Sequence, residues 1–93
     1  MKNKSTRILK VLNRFGLHAR PAAMLVETAS RFDCEVTLSK DGVSANGKSI
    51  MSVMLLAAES GSEVELAAEG PQADGAIEAI DALFQARFNE DEG

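Results

Sequence analysis

The feature that most constrains the fold is an alternating run of residues interrupted by an Asp-Gly pair, at residues 34–45. Residues 34–39 (CEVTLS) alternate apolar with polar side chains, which is the period-two pattern of a half-buried strand. Asp41 and Gly42 follow, and this dipeptide supplies the left-handed residues of a tight turn into residues 43–45. The chain is therefore expected to form an antiparallel hairpin, so its sheet must contain antiparallel strands.

Two segments precede the hairpin. Residues 7–12 (RILKVL) are short and rich in branched side chains, which predicts a first strand. After Gly16, apolar residues recur at helical spacing until the pattern ends before Asp33, which predicts a first helix. The apolar positions of this helix are Ala22, Leu25, Val26, Ala29 and Phe32.

Three segments follow the hairpin. Residues 49–60 predict a second helix, which opens with a potential capping serine and stops at Gly61. Residues 62–70 alternate again and predict a fourth strand. A third helix is predicted from Ala73 onward, and the acidic tail at residues 89–93 is expected to fray into solvent. The apolar stripe of the third helix comprises Ile77, Ile80, Phe84 and Phe88.

The predicted order is βαββαβα, in a chain of 93 residues. A chain of this length buries one core, so residues 1–93 are expected to form a single domain. Strands and helices in this order predict the α+β class, with a four-stranded antiparallel sheet covered on one face by three helices. This architecture is an open-faced β-sandwich.

Composition excludes several classes of function. The net charge is −4, whereas sequence-independent binding to nucleic acid needs a positively charged surface, so no nucleic-acid partner is expected. The single Cys34 cannot form an internal disulfide and is expected to be a buried, reduced thiol. No segment approaches the roughly 20 apolar residues of a membrane span, and the N-terminus lacks the apolar core of a signal peptide. We therefore expect no membrane insertion and a cytoplasmic location.

His18 is the only histidine, and its neighbours predict a place for an anion beside it. If the first helix begins near Ala19, His18 lies at or next to the N-cap, and Pro21 falls in the first turn, where a missing N–H costs little. Helix N-termini favour phosphate, and Arg20 adds a guanidinium that can hold two phosphate oxygens. A neutral imidazole is a nucleophile suited to carrying a phosphoryl group.

Other chemistries at His18 are poorly supported. A hydrolase triad would need a Ser or Cys partner motif, and a metal site would need further ligands, whereas the chain has no second histidine or cysteine. No metal or other cofactor is therefore expected. A histidine near a helix start also occurs as a solvated cap, and the residues alone leave that interpretation open.

Two motifs together indicate a family. The stretch GLHARPAAML at residues 16–25 and the stretch NGKSIMSVM at residues 46–54, in a βαββαβα chain, closely resemble the HPr family of bacterial phosphocarriers. The resemblance implies that His18 is phosphorylated through Nδ1 and that Arg20 assists phosphate binding and transfer. It also implies a relay that takes a phosphoryl group from enzyme I and hands it to IIA-type domains. Such a protein is a stoichiometric carrier of the phosphotransferase system and not a stand-alone enzyme.

Ser49 has two interpretations. Some members of the family that this chain resembles carry a regulatory serine within the sequence KSIM, and an ATP-dependent HPr kinase phosphorylates it. The position of that serine matches Ser49. The kinase/phosphorylase and a transcriptional regulator would then be further partners. A serine that opens a helix is also a common cap. The phosphate of a modified Ser49 would be tolerated at a helix N-terminus, so its effect would come from charge and bulk at a partner surface.

Residues 42–49 (GVSANGKS) also match the phosphate-loop pattern of nucleotide hydrolases. That loop requires a buried parallel strand before it and a magnesium-binding aspartate after a second strand. Because Asp41 and Gly42 predict a hairpin turn, we expect no nucleotide site here.

The second helix has more apolar residues than one buried stripe can use, since six of the seven residues at positions 50–56 are apolar. The resemblance implies an exposed apolar patch that docks both donor and acceptor, and Ile50, Met51 and Met54 are its candidates. Methionines suit a surface that fits several partners. The alternative is that all six side chains lie in the core.

Phe15 is a further candidate contact, and it bears on the branch of the family. An apolar residue before the motif glycine, and the stretches at residues 69–76 and 82–92, resemble the nitrogen-related branch (NPr) more than the sugar-transport branch, whereas Ser49 favours the latter. A rival function is a regulatory protein-binding module of the nitrogen branch, or a catabolite-control cofactor, that acts through protein contacts alone. A pure regulator would have no need of His18.

Overall fold

The predicted hairpin forms one edge of the sheet. The computed structural model describes residues 3–90, in which β2 (Glu35–Lys40) and β3 (Val43–Asn46) pair antiparallel, with Lys40 opposite Val43. Asp41 has φ 51° and Gly42 has φ 81°, so both turn residues are left-handed as predicted. The period-two pattern and the turn chemistry of this segment thus agree with its structure.

The other two strands complete a four-stranded antiparallel sheet in the order β1-β4-β2-β3. β4 (Glu63–Glu69) lies between β2 and β1 (Lys4–Lys10). The first strand was predicted at residues 7–12, but it begins three residues earlier and ends at Lys10. The whole of β1 faces β4, with Lys4 opposite Glu69 and Lys10 opposite Glu63, and opposite charges across both ends of the ladder favour this longer register.

Three helices cover the apolar face of the sheet: α1 (Ala19–Ala29), α2 (Ile50–Leu55) and α3 (Ala73–Gln85). The helices stop earlier than the sequence predicts. After Ala29 the chain tightens into i→i+3 hydrogen bonds, in which the amide of Phe32 donates to the carbonyl of Ala29 (3.2 Å). α2 ends at Leu55 because Ala57 takes a left-handed conformation, with φ 54°. The α+β architecture is the predicted one, with shorter helices.

The core lies between the sheet and the helices. Its largest fully buried apolar side chains are Phe84, Phe88, Leu25, Leu38, Leu66, Ile80, Val11, Val53 and Val64. Cys34 is buried, as predicted, and burial raises the pKa of its thiol, with a smaller lowering by Lys48 and a smaller raising by Asp33. Residues 3–90 contain no helix of the length and apolarity that a membrane crossing requires.

Polar contacts fasten α3 to the edge strand β1. Arg7 donates to Glu78 (2.7 Å) and to Asp81 (2.6 Å), and the Ser5 hydroxyl donates to Asp74. The hydrogen bond from Arg7 and then its charge lower the pKa of Glu78. The C-terminal helix is thereby attached to the first strand of the chain.

A left-handed turn (Arg87–Asn89) follows α3, with φ between 53° and 58° at each of its three residues. Left-handed backbone costs about 1–2 kcal/mol per non-glycine residue. The offsetting contact is Phe88, which is fully buried and packs on Phe84 with ring centroids 5.1 Å apart. Phe88 was expected to continue the stripe of the third helix, but it lies in this turn, which directs the chain back toward α1.

Candidate functional site

The segment before His18 is fixed by contact with the loop that follows α2. Gly16 has φ +70°, and a Cβ added there would lie 2.3 Å from the carbonyl oxygen of Ala58. The amide of Leu17 donates to the same carbonyl (2.9 Å), and the Leu17 side chain is buried. Only glycine fits this approach, so Gly16 and Leu17 determine where His18 enters α1.

His18 is the N-cap of α1, as the sequence predicts, and its backbone is extended (ψ −169°). The first intrahelical hydrogen bond runs from the amide of Ala22 to the carbonyl of His18 (2.9 Å), so the amides of Ala19 and Arg20 have no partner within the helix. The His18 side chain makes no capping hydrogen bond to them. These donors, the helix dipole and the exposed Arg20 form a place for a dianion beside the imidazole.

The tail was expected to fray into solvent, but its first part returns to His18. Oε2 of Glu90 lies 2.8 Å from Nε2 of His18, and Oε1 accepts from Nδ2 of Asn13 (2.8 Å). Asn13 is fully buried and also donates to the carbonyl of Gly16 (2.6 Å). The physical reason is the turn around buried Phe88, which leaves Glu90 facing the loop before α1. The rest of the predicted fraying tail lies outside the described residues.

Glu90 is held as a carboxylate by its surroundings. Burial raises its pKa, but the hydrogen bonds from Asn13 and His18, together with the nearby charge of Arg20, lower it, and the net pKa is below the ordinary glutamate value. Glu90 is therefore an ionised acceptor beside the imidazole.

The imidazole of His18 is 41% exposed, so a partner molecule can reach it. Phe15, 70% exposed, meets it edge to face with ring centroids 6.1 Å apart, and the guanidinium carbon of Arg14 lies 5.3 Å from the centroid of the Phe15 ring. Met54 lines the same shallow concavity as Phe15 and His18. The structure thus brings together three of the predicted site residues.

The second helix exposes an apolar surface, as predicted. Ile50, Met51 and Met54 are exposed, whereas Val53 and Leu56 are buried. The most exposed large apolar side chain of this segment is Leu55, at 76%, which was not among the predicted contact residues. Its position four residues after Met51 was the available indication, since residues i and i+4 share a helix face. We call Phe15, Ile50, Met51, Met54 and Leu55 the apolar rim.

The comparisons with known proteins agree with this geometry. A family model described as "PTS HPr component phosphorylation site" matches residues 5–86. The chain belongs to the HPr family. Membership in this family implies a phosphoryl-carrier role in the phosphotransferase system.

Three relatives illustrate the similarity. The phosphocarrier protein HPr of Treponema pallidum is 52% identical over 85 residues, which cover 91% of this chain and 97% of that protein. The phosphocarrier protein NPr of Escherichia coli K12 is 39% identical over 84 residues, which cover 89% of this chain and 93% of that one. A crystal structure of HPr from Thermoanaerobacter tengcongensis superposes with a TM-score of 0.90 at 40% identity, over 94% of this chain and 98% of that one.

Ser49 is the N-cap of α2 in this HPr-family chain. Its hydroxyl accepts from the amide of Ser52 (3.3 Å), and its side chain is half-buried. Ser49 does not line the concavity that contains His18.

The phosphate-loop pattern at residues 42–49 is not such a loop in this HPr-family chain. Gly42 lies in the hairpin turn, and β3 is an antiparallel edge strand. Within residues 3–90, no group of three or more His, Cys, Asp or Glu side chains is placed to hold a metal ion.

Proposed function

We propose that this chain accepts a phosphoryl group from enzyme I on Nδ1 of His18 and passes it to IIA-type domains. The observation that carries the proposal is the exposed imidazole at the start of α1, with Arg20 in the first turn of the same helix. A nucleophile and an anion site meet there, so a transferring phosphoryl group would be held as it reacts. The chain would be a relay without cofactor, acting in the cytoplasm, and not a stand-alone enzyme.

The proposed transfer has two symmetrical steps. The lone pair of Nδ1 attacks phosphorus in line, while the bond from phosphorus to the donor group of enzyme I breaks and its electron pair stays with the donor. The amides of Ala19 and Arg20 and the Arg20 guanidinium would stabilise the equatorial oxygens of the transferring group. In the second step a nucleophile of the IIA-type domain attacks the same phosphorus, and Nδ1 of His18 leaves.

The apolar rim would dock both partners. Its side chains lie beside His18 or on the adjoining helix, and two of the five are methionines, whose flexible thioethers adapt to different surfaces. A partner that covers Phe15 and Met54 would also exclude water from the imidazole, which strengthens the electrostatic contacts of the transferring group.

Regulation at Ser49 is part of the proposal. An HPr kinase would phosphorylate the Ser49 hydroxyl, and the modified surface would either reject enzyme I or bind a transcriptional regulator. The support is the position of Ser49, directly before the exposed Ile50 and Met51, so a phosphate there would add charge at the edge of the apolar rim.

The test is incubation with phosphoenolpyruvate and purified enzyme I of the sugar branch or of the nitrogen branch, followed by intact mass and an acid-lability assay. We expect one acid-labile phosphate, absent from His18→Gln, and the faster donor would identify the branch. The matched control is each donor with its own carrier. If both controls work and this chain takes no phosphate, the carrier proposal is refuted in favour of a regulatory protein-binding module.

A further inference from the structure

We propose that Glu90 is a positioning residue that holds the His18 ring ready for phosphoryl transfer, an inference that rests on the proposed function of His18. Oε2 of Glu90 is 2.8 Å from Nε2 of His18. An ionised carboxylate only accepts hydrogen bonds, so Nε2 carries the hydrogen and donates it. In the neutral ring the other nitrogen, Nδ1, then has a free lone pair, which a nucleophile needs.

The carboxylate is itself held in place from behind. Oε1 of Glu90 accepts from Asn13, whose Nδ2 also donates to the carbonyl of Gly16. Asn13 is fully buried, and Phe88, two residues before Glu90, is buried in the core. The backbone of Glu90 is therefore anchored by the core, and its carboxylate is anchored by the loop that leads into α1. A carboxylate fixed in this way orients the imidazole ring as well as selecting its tautomer.

Glu90 also balances the charge that transfer creates. When the Nδ1 lone pair forms the new bond to phosphorus, the donor departs with the electrons of the broken bond, and the proton on Nε2 stays where it is. The imidazole thereby becomes a cation. The carboxylate of Glu90 lies against its protonated nitrogen, at the opposite edge of the ring from the phosphoryl group. The same contact that selects the tautomer thus stabilises the phosphorylated ring.

The experiment compares Glu90→Ala, which removes the acceptor, with Glu90→Gln, which retains an acceptor oxygen but loses the charge. Glu65→Gln is the matched control, because it removes one carboxylate from the exposed face of β4. Two readouts are needed: the rate of transfer from phosphorylated enzyme I, and the ¹⁵N NMR shifts of the His18 ring, measured well above the ordinary histidine pKa.

We expect Glu90→Ala to slow transfer about fivefold, since a charge-assisted hydrogen bond to a partly exposed group is modest in strength. The shifts of Nδ1 and Nε2 should move toward each other as the tautomers mix. Glu90→Gln should keep the wild-type ring shifts and transfer at an intermediate rate, and Glu65→Gln should match wild type in both readouts.

The outcomes separate this inference from the function on which it rests. Wild-type rate or wild-type ring shifts in Glu90→Ala would overturn the positioning role, while phosphorylation of the wild type and its loss in His18→Gln would leave the carrier function standing. If the wild type itself accepts no phosphate from a working donor, both fail.

Discussion

Replacing Gly16 with alanine should lower the free energy of unfolding by an amount that follows from the contacts around Gly16. The new Cβ would meet the Ala58 carbonyl oxygen at 2.3 Å and the Cα of Glu59 at 3.0 Å, both of them backbone atoms. A backbone atom cannot swing aside as a flexible side chain does. The segment that leads into His18 and the loop after α2 must therefore separate, which stretches the hydrogen bond from Leu17 to Ala58.

The cost has two parts. A left-handed alanine costs about 1–2 kcal/mol relative to glycine, and forcing an extra carbon into a packed contact costs about 1–3 kcal/mol. Gly16→Ala should therefore lower the free energy of unfolding by about 2–5 kcal/mol. Gly42→Ala is the matched control, because Gly42 has φ +81° but open space around the added Cβ, so it should lose only the first part.

Urea unfolding of both variants measures the difference, and phosphoryl acceptance measures its effect on the site. We expect Gly16→Ala to be less stable than Gly42→Ala by about 1–3 kcal/mol, which is the packing part alone. Gly16→Ala should also accept phosphate more slowly, while Gly42→Ala transfers at the wild-type rate. Equal losses of stability in the two variants would refute the argument that close approach to Ala58 excludes a side chain at Gly16.

Three further predictions concern the surface. Ser49→Ala should lower the free energy of unfolding by about 0.5–1 kcal/mol in urea, since it removes a long capping hydrogen bond, with the fold retained by circular dichroism. Arg7→Ala should lower the urea midpoint, less so in high salt, because its ion pairs lie at the surface. Because the pKa of Glu78 is lowered in the folded state, the stabilisation by its ion pair with Arg7 is present above the ordinary glutamate pKa and is lost as the pH falls through the folded-state pKa. Arg7→Ala should therefore weaken the pH dependence of the free energy of unfolding between neutral and acidic pH. Met51→Ser and Leu55→Ser should each raise the KM of enzyme I for this carrier and change the free energy of unfolding by less than about 0.5 kcal/mol. An unchanged KM in both variants would show that α2 is not part of the docking surface.

Local patterns predicted the parts of the fold that local contacts determine. The alternation at residues 34–39 and the Asp41-Gly42 turn predict a hairpin, and both turn residues take the predicted left-handed conformation. The end of α2 was not predictable in this way. Residues 49–60 are compatible with a continuous helix, but the chain leaves it at Ala57, and the next residue, Ala58, accepts a hydrogen bond from distant Leu17. The end of that helix depends on tertiary contact.

The candidate site likewise contains one part that follows from local sequence and one part that depends on tertiary contacts. His18, Arg20 and Pro21 lie within a span of four residues, so a single helix start brings them together, and the sequence alone predicts a nucleophile beside an anion site. The Glu90 contact joins residues 72 apart, and an acidic tail has the composition of a solvated end. The contact forms because burial of the Phe88 side chain offsets the conformational cost of three left-handed residues. The core that buries Phe88 exists only once α1 and α3 are packed on the sheet. The proposed nucleophile is thus predicted by the local motif, whereas the carboxylate that we propose to hold the proton on its opposite nitrogen is placed there only by the completed fold.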